Sequence, residues 1–211
     1  MFFIFDWDGT LSDSADKIVA CLQAAAQDCE LPVLSPEQVK NVIGLGLPEA
    51  LRYLYPQISA AQQEACRVAY AQHFKLRDQA PSAFFPGVLQ ALNQLKQKNY
   101  RLAVATGKSR AGLDRVLSNL DLADFFHHSR CADETASKPN PLMLNQLLEE
   151  AKVNVEDAVM VGDTEWDMQM ADNIGMRKIA VGYGAHSAER LQRYRPALLI
   201  HHFPDILQFL D

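Results

Sequence analysis

A doubly wound, mostly parallel α/β sheet with an inserted helical cap is the architecture that this sequence of 211 residues predicts. Three observations carry the prediction. Phe2-Phe3-Ile4-Phe5, Leu102-Ala103-Val104-Ala105, Ala158-Val159-Met160-Val161 and Ile179-Ala180-Val181 are short, unbroken apolar runs, as expected of strands covered on both faces. Helix-length segments separate the later runs, and strands alternating with such helices form parallel sheets. Residues 14–81, by contrast, show helical periodicity and no convincing strand.

Taken in order, the first strand leads straight into this helical stretch. Ser35-Pro36-Glu37-Gln38 reads as a helix start, with a capping box and proline at the first helical position. Gly44-Leu45-Gly46 and then Pro56 interrupt the pattern. Ser59 caps a long helix running toward residue 78, and Val19, Leu22 and Ala26 are expected to form insert core. Pro81, Pro86 and Gly87 mark the return to the sheet. Helices are then expected near 87–98, 109–119, 141–152 and 165–175, with Leu198-Leu199-Ile200 as an edge strand. The expected division is therefore an α/β core of residues 1–14 and 82–211 and a cap of residues 15–81.

Composition excludes several classes. Hydrophobic residues are 48% and charged residues 22%, ordinary for a soluble globular protein. A net charge of -6 disfavours a nucleic-acid-binding surface, which presents a basic excess. Cys21, Cys29, Cys66 and Cys131 contain no C-x-x-C pair and are expected to be reduced thiols. No apolar run approaches the roughly 18 to 20 residues of a membrane span. The apolar start breaks at Asp6 and has no basic leader, so a cytoplasmic location is expected.

Chemistry concentrates where the apolar runs end. Asp6-Trp7-Asp8-Gly9-Thr10 follows the first strand; positions i and i+2 project to one side, so both carboxylates can face one pocket, while Gly9 permits a sharp turn. Adjacent carboxylates repel unless a cation intervenes. Such a pair suits a nucleophile, a proton carrier and a metal; an acidic turn with Asp8 or Thr10 as a helix cap is the structural alternative. The second run ends in Thr106-Gly107-Lys108, whose hydroxyl and amides suit phosphate oxygens. Alone, Thr106 reads equally as a helix cap. The third ends in Gly162-Asp163-Thr164-Glu165-Trp166-Asp167, where Asp163 and Asp167 bracket a helix's first turn. Hard oxygens of this kind suit Mg²⁺, although acidic residues also favour helix starts. Lys138-Pro139 places a cation on a restricted loop, able to neutralise phosphoryl and carboxylate charge; by itself it reads as a surface lysine.

Asp6-x-Asp8-Gly9-Thr10, Thr106-Gly107, Lys138-Pro139 and Gly162-Asp163-x-x-x-Asp167 together resemble, in order and spacing, the four motifs of the haloacid dehalogenase-like hydrolases. The insert resembles that superfamily's small helical cap, and the nearest-looking branch is phosphoglycolate phosphatase-like. The resemblance implies a Mg²⁺-dependent phosphatase acting on a small phosphorylated metabolite through an aspartyl-phosphate. Asp6 is then nucleophile and metal ligand, and Asp8 is the general acid/base with its main-chain carbonyl on the metal. Thr106, Gly107 and Lys138 hold the phosphoryl group, Asp163 completes the metal site and Asp167 supports it.

Gly44-Leu45-Gly46-Leu47-Pro48 is a candidate substrate loop reaching over the site, with a plain interhelical turn as the alternative. Lys108, Lys40 and Arg52 are candidates for a second anionic group. Trp7 is expected to pack, and Trp166 to pack near the site or touch the cap. None of the six histidines has metal-ligand spacing. Among rival functions, a dehalogenase has no need of Asp8. A sugar-phosphate mutase would share all four motifs, and a phosphonate hydrolase would need a Schiff-base lysine such as Lys17 or Lys40. A receiver-like phosphoacceptor normally lacks so long an insert.

Overall fold

The structure, a computed structural model, describes residues 1–80 and 82–210; the boundary expected at Pro81 lies outside them. Strand β1 (Phe2–Phe5) is followed by four helices: α1 (Ala15–Asp28), α2 (Pro36–Lys40), α3 (Leu47–Leu54) and α4 (Ala60–Arg77). Strands and helices then alternate: α5 (Val88–Gln97), β2 (Arg101–Thr106), α6 (Arg110–Asn119), β3 (His128–Cys131) and α7 (Leu142–Ala151). They continue as β4 (Ala158–Gly162), α8 (Glu165–Asp172), β5 (Arg177–Val181), α9 (Ala188–Gln192) and β6 (Leu198–Ile200), before a closing 3-10 helix over Phe203–Leu210.

The described strands form one parallel sheet of six, ordered β3-β2-β1-β4-β5-β6. Because side chains alternate across a strand, β1 builds two cores. Phe3 and Phe5 join Leu92 and Leu95 of α5 and Leu113 of α6 on one face. Phe2 and Ile4 join Met143, Leu144 and Leu147 of α7 and Met170 of α8 on the other. Full burial of each such side chain is worth about 1.5–3 kcal/mol, which explains the unbroken apolar character of β1.

The α1–α4 unit has its own core, in which Ile18, Val19 and Leu22 meet Val39, Leu51 and Phe74. Both expected helix starts form. Ser35 and Gln38 make a reciprocal capping box with Pro36 at the start of α2, and Ser59 and Gln62 do the same for α4. No helix among the described residues is long and apolar enough to cross a membrane. Three of these elements were absent from the sequence expectation: α9, the closing 3-10 helix and β3. Strand β3, His128-Ser129-Arg130-Cys131, is an edge strand whose first three residues are only half-buried, so it lacks an apolar run.

Candidate active site

The strand order reverses its direction of growth at β1: β2 lies on one side of it and β4 on the other. Loops leaving the carboxyl ends of these strands diverge there and open a crevice, the usual ligand position of a doubly wound sheet. Asp6 follows β1, Thr106 ends β2, Asp163 follows β4, and Lys138 lies between β3 and α7. All four are buried, Asp6 and Lys138 at 1% exposure.

Lys138 joins these segments. Its Nζ donates to Asp6 Oδ1 and to Asp167 Oδ1, each at 2.6 Å. Asp167 is the third residue of α8, and its Oδ2 accepts from the Thr164 hydroxyl at 2.6 Å and the Thr164 amide at 3.1 Å, a helix-cap arrangement that fixes the carboxylate. Gly162 is needed beneath it: a Cβ there would collide with the Asp167 side chain. Asp163 Oδ1 accepts from the Thr10 hydroxyl at 2.8 Å, and Oδ2 from the Ala185 amide at 2.7 Å. Gly9 adopts φ +85°, and a side chain there would strike the Asp163 carboxylate.

Asp6, Asp163 and Asp167 form one buried group whose ligand oxygens lie within 4.8 Å of one another. Three carboxylates against one ammonium leave two formal negative charges if all ionise. Burial raises the Asp6 pKa well above the ordinary carboxylate value; Lys138 opposes the rise, while Asp167 and Asp163 add to it. Burial, reinforced by Asp167, pushes Asp163 up to about 7 against the Ala185 amide and the Thr10 hydroxyl. Burial also disfavours the Lys138 ammonium, yet Asp167 and Asp6 together hold its pKa above the ordinary value. Asp6 Oδ2 is buried with no hydrogen-bond partner among the described residues, and a buried polar atom without one is costly. An orphaned carboxylate oxygen in a group with surplus negative charge fits a hard divalent cation.

Asp8 stands apart from that group. Its Oδ1 accepts from the Ser14 hydroxyl at 2.6 Å and faces Lys108 Nζ at 2.9 Å. Trp7, between the two aspartates, points into the sheet core against Phe84 and Phe126, as expected of a packing residue. Thr106 is fully buried, and its hydroxyl accepts from the Lys108 amide at 3.2 Å. It does not cap α6; Ser109 does.

A cavity of about 730 Å³ lies between the sheet loops and the inserted helices, with Asp6, Asp8, Gly44, Leu45, Gly107 and Lys108 among its lining residues. The 44–46 loop rests on the sheet loops. A Cβ on Gly107 would strike the carbonyl oxygens of Leu45 and Gly44, one on Gly44 would crowd Thr164, and the Gly46 amide donates to Ser137 Oγ at 2.8 Å. Trp166 reaches the insert as well, donating from Nε1 to the Asn41 carbonyl at 3.2 Å. Lys108 meets Asp8 and lies 4.7 Å over the Phe74 ring, so no free ammonium faces the cavity from that position. Lys40 pairs with Asp16, Arg52 with Glu49 and Lys17 with Asp78, and none of the three lines the cavity. Lys40 and Arg52, candidates for a second anionic group, therefore each face a carboxylate from outside the cavity lining, although Glu49, the partner of Arg52, does line the cavity.

Three contributors carried no motif signal of their own: Ser14, Ser137 and His186. His186 is buried in a loop, accepts from the Glu165 amide at 3.0 Å through Nδ1 and meets the Asn41 carbonyl through Nε2 at 3.3 Å. These residues act on or beside motif residues through single hydrogen bonds, which spacing along the chain does not encode.

Residues 3–181 match the haloacid dehalogenase-like hydrolase family. The protein named "Probable phosphatase IndB" from Dickeya dadantii is 34% identical over 212 residues, spanning 97% of this chain and 90% of that one. A phosphoglycolate phosphatase from Aliivibrio fischeri is 30% identical over 215 residues, spanning 98% and 95%. The crystal structure of a hydrolase from Pseudomonas syringae superposes with a TM-score of 0.91 at 25% identity, covering 100% of this chain and 98% of that one.

Proposed function

The chain belongs to the haloacid dehalogenase-like hydrolases and is a phosphatase of that family, and we propose that it hydrolyses phosphate monoesters of small metabolites with Mg²⁺, through a phosphoryl group carried on Asp6. The observation that carries this reading is the asymmetry of the Asp6 carboxylate. One oxygen is held by Lys138 at 2.6 Å, while the other is buried without a protein partner. An oxygen so placed is available to an electrophile or a cation.

Asp6 and Asp163, with the Asp8 main-chain carbonyl, would hold Mg²⁺, and Asp167 would support the site through Lys138. Bound there, Mg²⁺ would neutralise charge and polarise a phosphoryl oxygen. Thr106 retains a hydroxyl proton to donate to a phosphoryl oxygen while it accepts from Lys108. Gly107 lines the cavity and offers its amide, and Lys138 offsets the charge of the transferring group.

The Asp6 carboxylate attacks phosphorus, the bond to the leaving oxygen breaks, and Asp8 gives that oxygen a proton. Asp8 then takes a proton from water as the water oxygen attacks phosphorus. The acyl-phosphate bond breaks, and phosphate and free Asp6 are restored. Ser14 and Lys108 fix the orientation of the Asp8 carboxylate for both transfers. The inserted helices would act as a cap, excluding water and reading the leaving group.

Rapid quench with a labelled phosphate ester, followed by peptide mapping, tests the reading. Label on Asp6, formed only with Mg²⁺ and absent in Asp6→Asn, is the expected result. Label on another residue, or full turnover with a chelator present, overturns it.

A further inference from the structure

Resting on the phosphatase reading above, we propose that the substrate is a phosphate monoester of an uncharged, predominantly apolar alcohol rather than of a short hydroxy acid. Size is the first argument. The cavity leading away from Asp6 and Asp8 holds about 730 Å³. A two-carbon leaving group displaces about two or three waters, roughly 60–90 Å³ at the ~30 Å³ that each takes in the liquid. The remaining space is walled on the insert side by Ile18, Leu22, Val42, Ile43 and Phe74. Their side chains offer water no hydrogen bonds, so filling the space with apolar substrate is favoured over leaving it wet.

Charge is the second argument. A glycolate-type leaving group brings a carboxylate into the cavity, and a desolvated charge needs a partner. The cations lining the cavity among the described residues each face a carboxylate. Lys108 faces Asp8 at 2.9 Å, Arg115 faces Asp78 at 2.9 Å and Arg67 faces Glu64 at 2.7 Å. Recruiting Lys108 would remove the partner that orients Asp8. Glu49 and Asp133 also line the cavity and would repel a second anion. Tyr70 adds a phenol to the insert wall. Its phenol O–H can donate a hydrogen bond to a neutral ether or hydroxyl oxygen of the leaving group.

The test compares kcat/KM of the wild-type enzyme with Mg²⁺ on phosphoglycolate, ethyl phosphate, hexyl phosphate and 2-phenylethyl phosphate, all with alkoxide leaving groups. Asp6→Asn serves as the blank. Each added methylene in a hydrophobic pocket discriminates by about tenfold or more, so 2-phenylethyl phosphate should exceed phosphoglycolate by at least that factor. Val42→Arg places a cation in the apolar wall. It should lower kcat/KM for 2-phenylethyl phosphate and raise it for phosphoglycolate, opposite movements that a folding defect would not produce. Asp6-dependent release that favours phosphoglycolate in the wild type overturns the apolar substrate while leaving the phosphatase reading intact. Absence of Asp6-dependent release from all four esters overturns the phosphatase reading, and this inference with it.

Discussion

Lys138 Nζ lies 2.6 Å from Asp6 Oδ1 although 132 residues separate the two along the chain. The same ammonium holds Asp167, so one side chain ties the end of β1 to the first turn of α8. Lys138→Met should therefore lower stability by about 3–5 kcal/mol, the usual consequence of leaving buried charge uncompensated. Added Mg²⁺ should recover more stability in this variant than in the wild type, because a cation can replace the lost charge. Thermal unfolding followed by circular dichroism, with and without Mg²⁺, checks both outcomes. A variant as stable as the wild type and indifferent to the ion would show that the carboxylates do not act as one anionic group.

The two aspartates of the first motif should separate cleanly. Asp6→Asn is expected to abolish turnover of every ester while leaving the melting temperature in chelator unchanged or raised, since it removes one of three crowded carboxylates. Asp8→Asn should slow phosphoryl transfer from an alkyl ester by about 10² to 10⁴, the usual weight of proton transfer. Nitrophenyl phosphate, whose leaving group departs as an anion, should suffer much less. Single-turnover rates decide, because Asp8 also serves the second step; equal losses on both esters would remove Asp8 as the proton donor.

Gly107→Ala introduces a methyl group against the carbonyl oxygens of Leu45 and Gly44. The 44–46 loop must then lift off the sheet, since backbone cannot yield as a flexible side chain can. We expect kcat/KM to fall by about 10²-fold, the size of effect that follows a 1 Å misplacement, with little change in melting temperature. Unchanged kinetics would mean that the loop's seat on Gly107 does not position substrate.

His186 gives the protein an acid-sensitive contact between sheet and insert. Burial first, with the Arg190 charge, holds its pKa below the ordinary 6.5. Nδ1 accepts from the Glu165 amide, which assigns the remaining ring proton to Nε2, opposite the Asn41 carbonyl. The unfolded chain takes up a proton near 6.5 while the folded chain resists it. The contribution of this residue is therefore complete above that pH and is lost as pH falls toward the folded value. In thermal unfolding from pH 7.5 to 5.5, the gap between the wild type and His186→Gln should narrow on acidification. A constant gap would show that His186 is not titrating.

Much of the site could be read along the chain because its pieces sit where apolar runs end. Asp6, Thr106 and Asp163 follow or finish strands whose continuous hydrophobicity is visible without a structure, and in a doubly wound sheet such positions share one edge. The edge strand β3 was not legible. His128 and Arg130 stay half-buried and pair with Glu150 of α7, so the strand shows polar residues where a central one would show none. That neither Lys40 nor Arg52 lines the cavity was hidden for a related reason. Charge type is written in the sequence, but which carboxylate lies within reach is not, and Asp16 and Glu49 lie within reach of them.

The sequence alone determined the alternation of strands and helices and the inserted helical stretch, because hydrophobic period, helix caps and turn residues act over a few neighbouring positions, while the phosphoryl chemistry proposed for Asp6, Thr106, Lys138 and Asp163 was implied by their resemblance to the family's motifs. Tertiary structure decided how those residues are paired. Lys138 reaches Asp6 and Asp167, Lys108 turns to Asp8, Ser14 joins it there, and Asn41 accepts from both Trp166 and His186. Each of these links except that of Ser14 spans 29 or more residues of chain. Such contacts exist only once packing of the β1, β2 and β4 ends has brought their partners together, and the free energy that selects them is that of excluding water from a shared cavity, a property of no single segment.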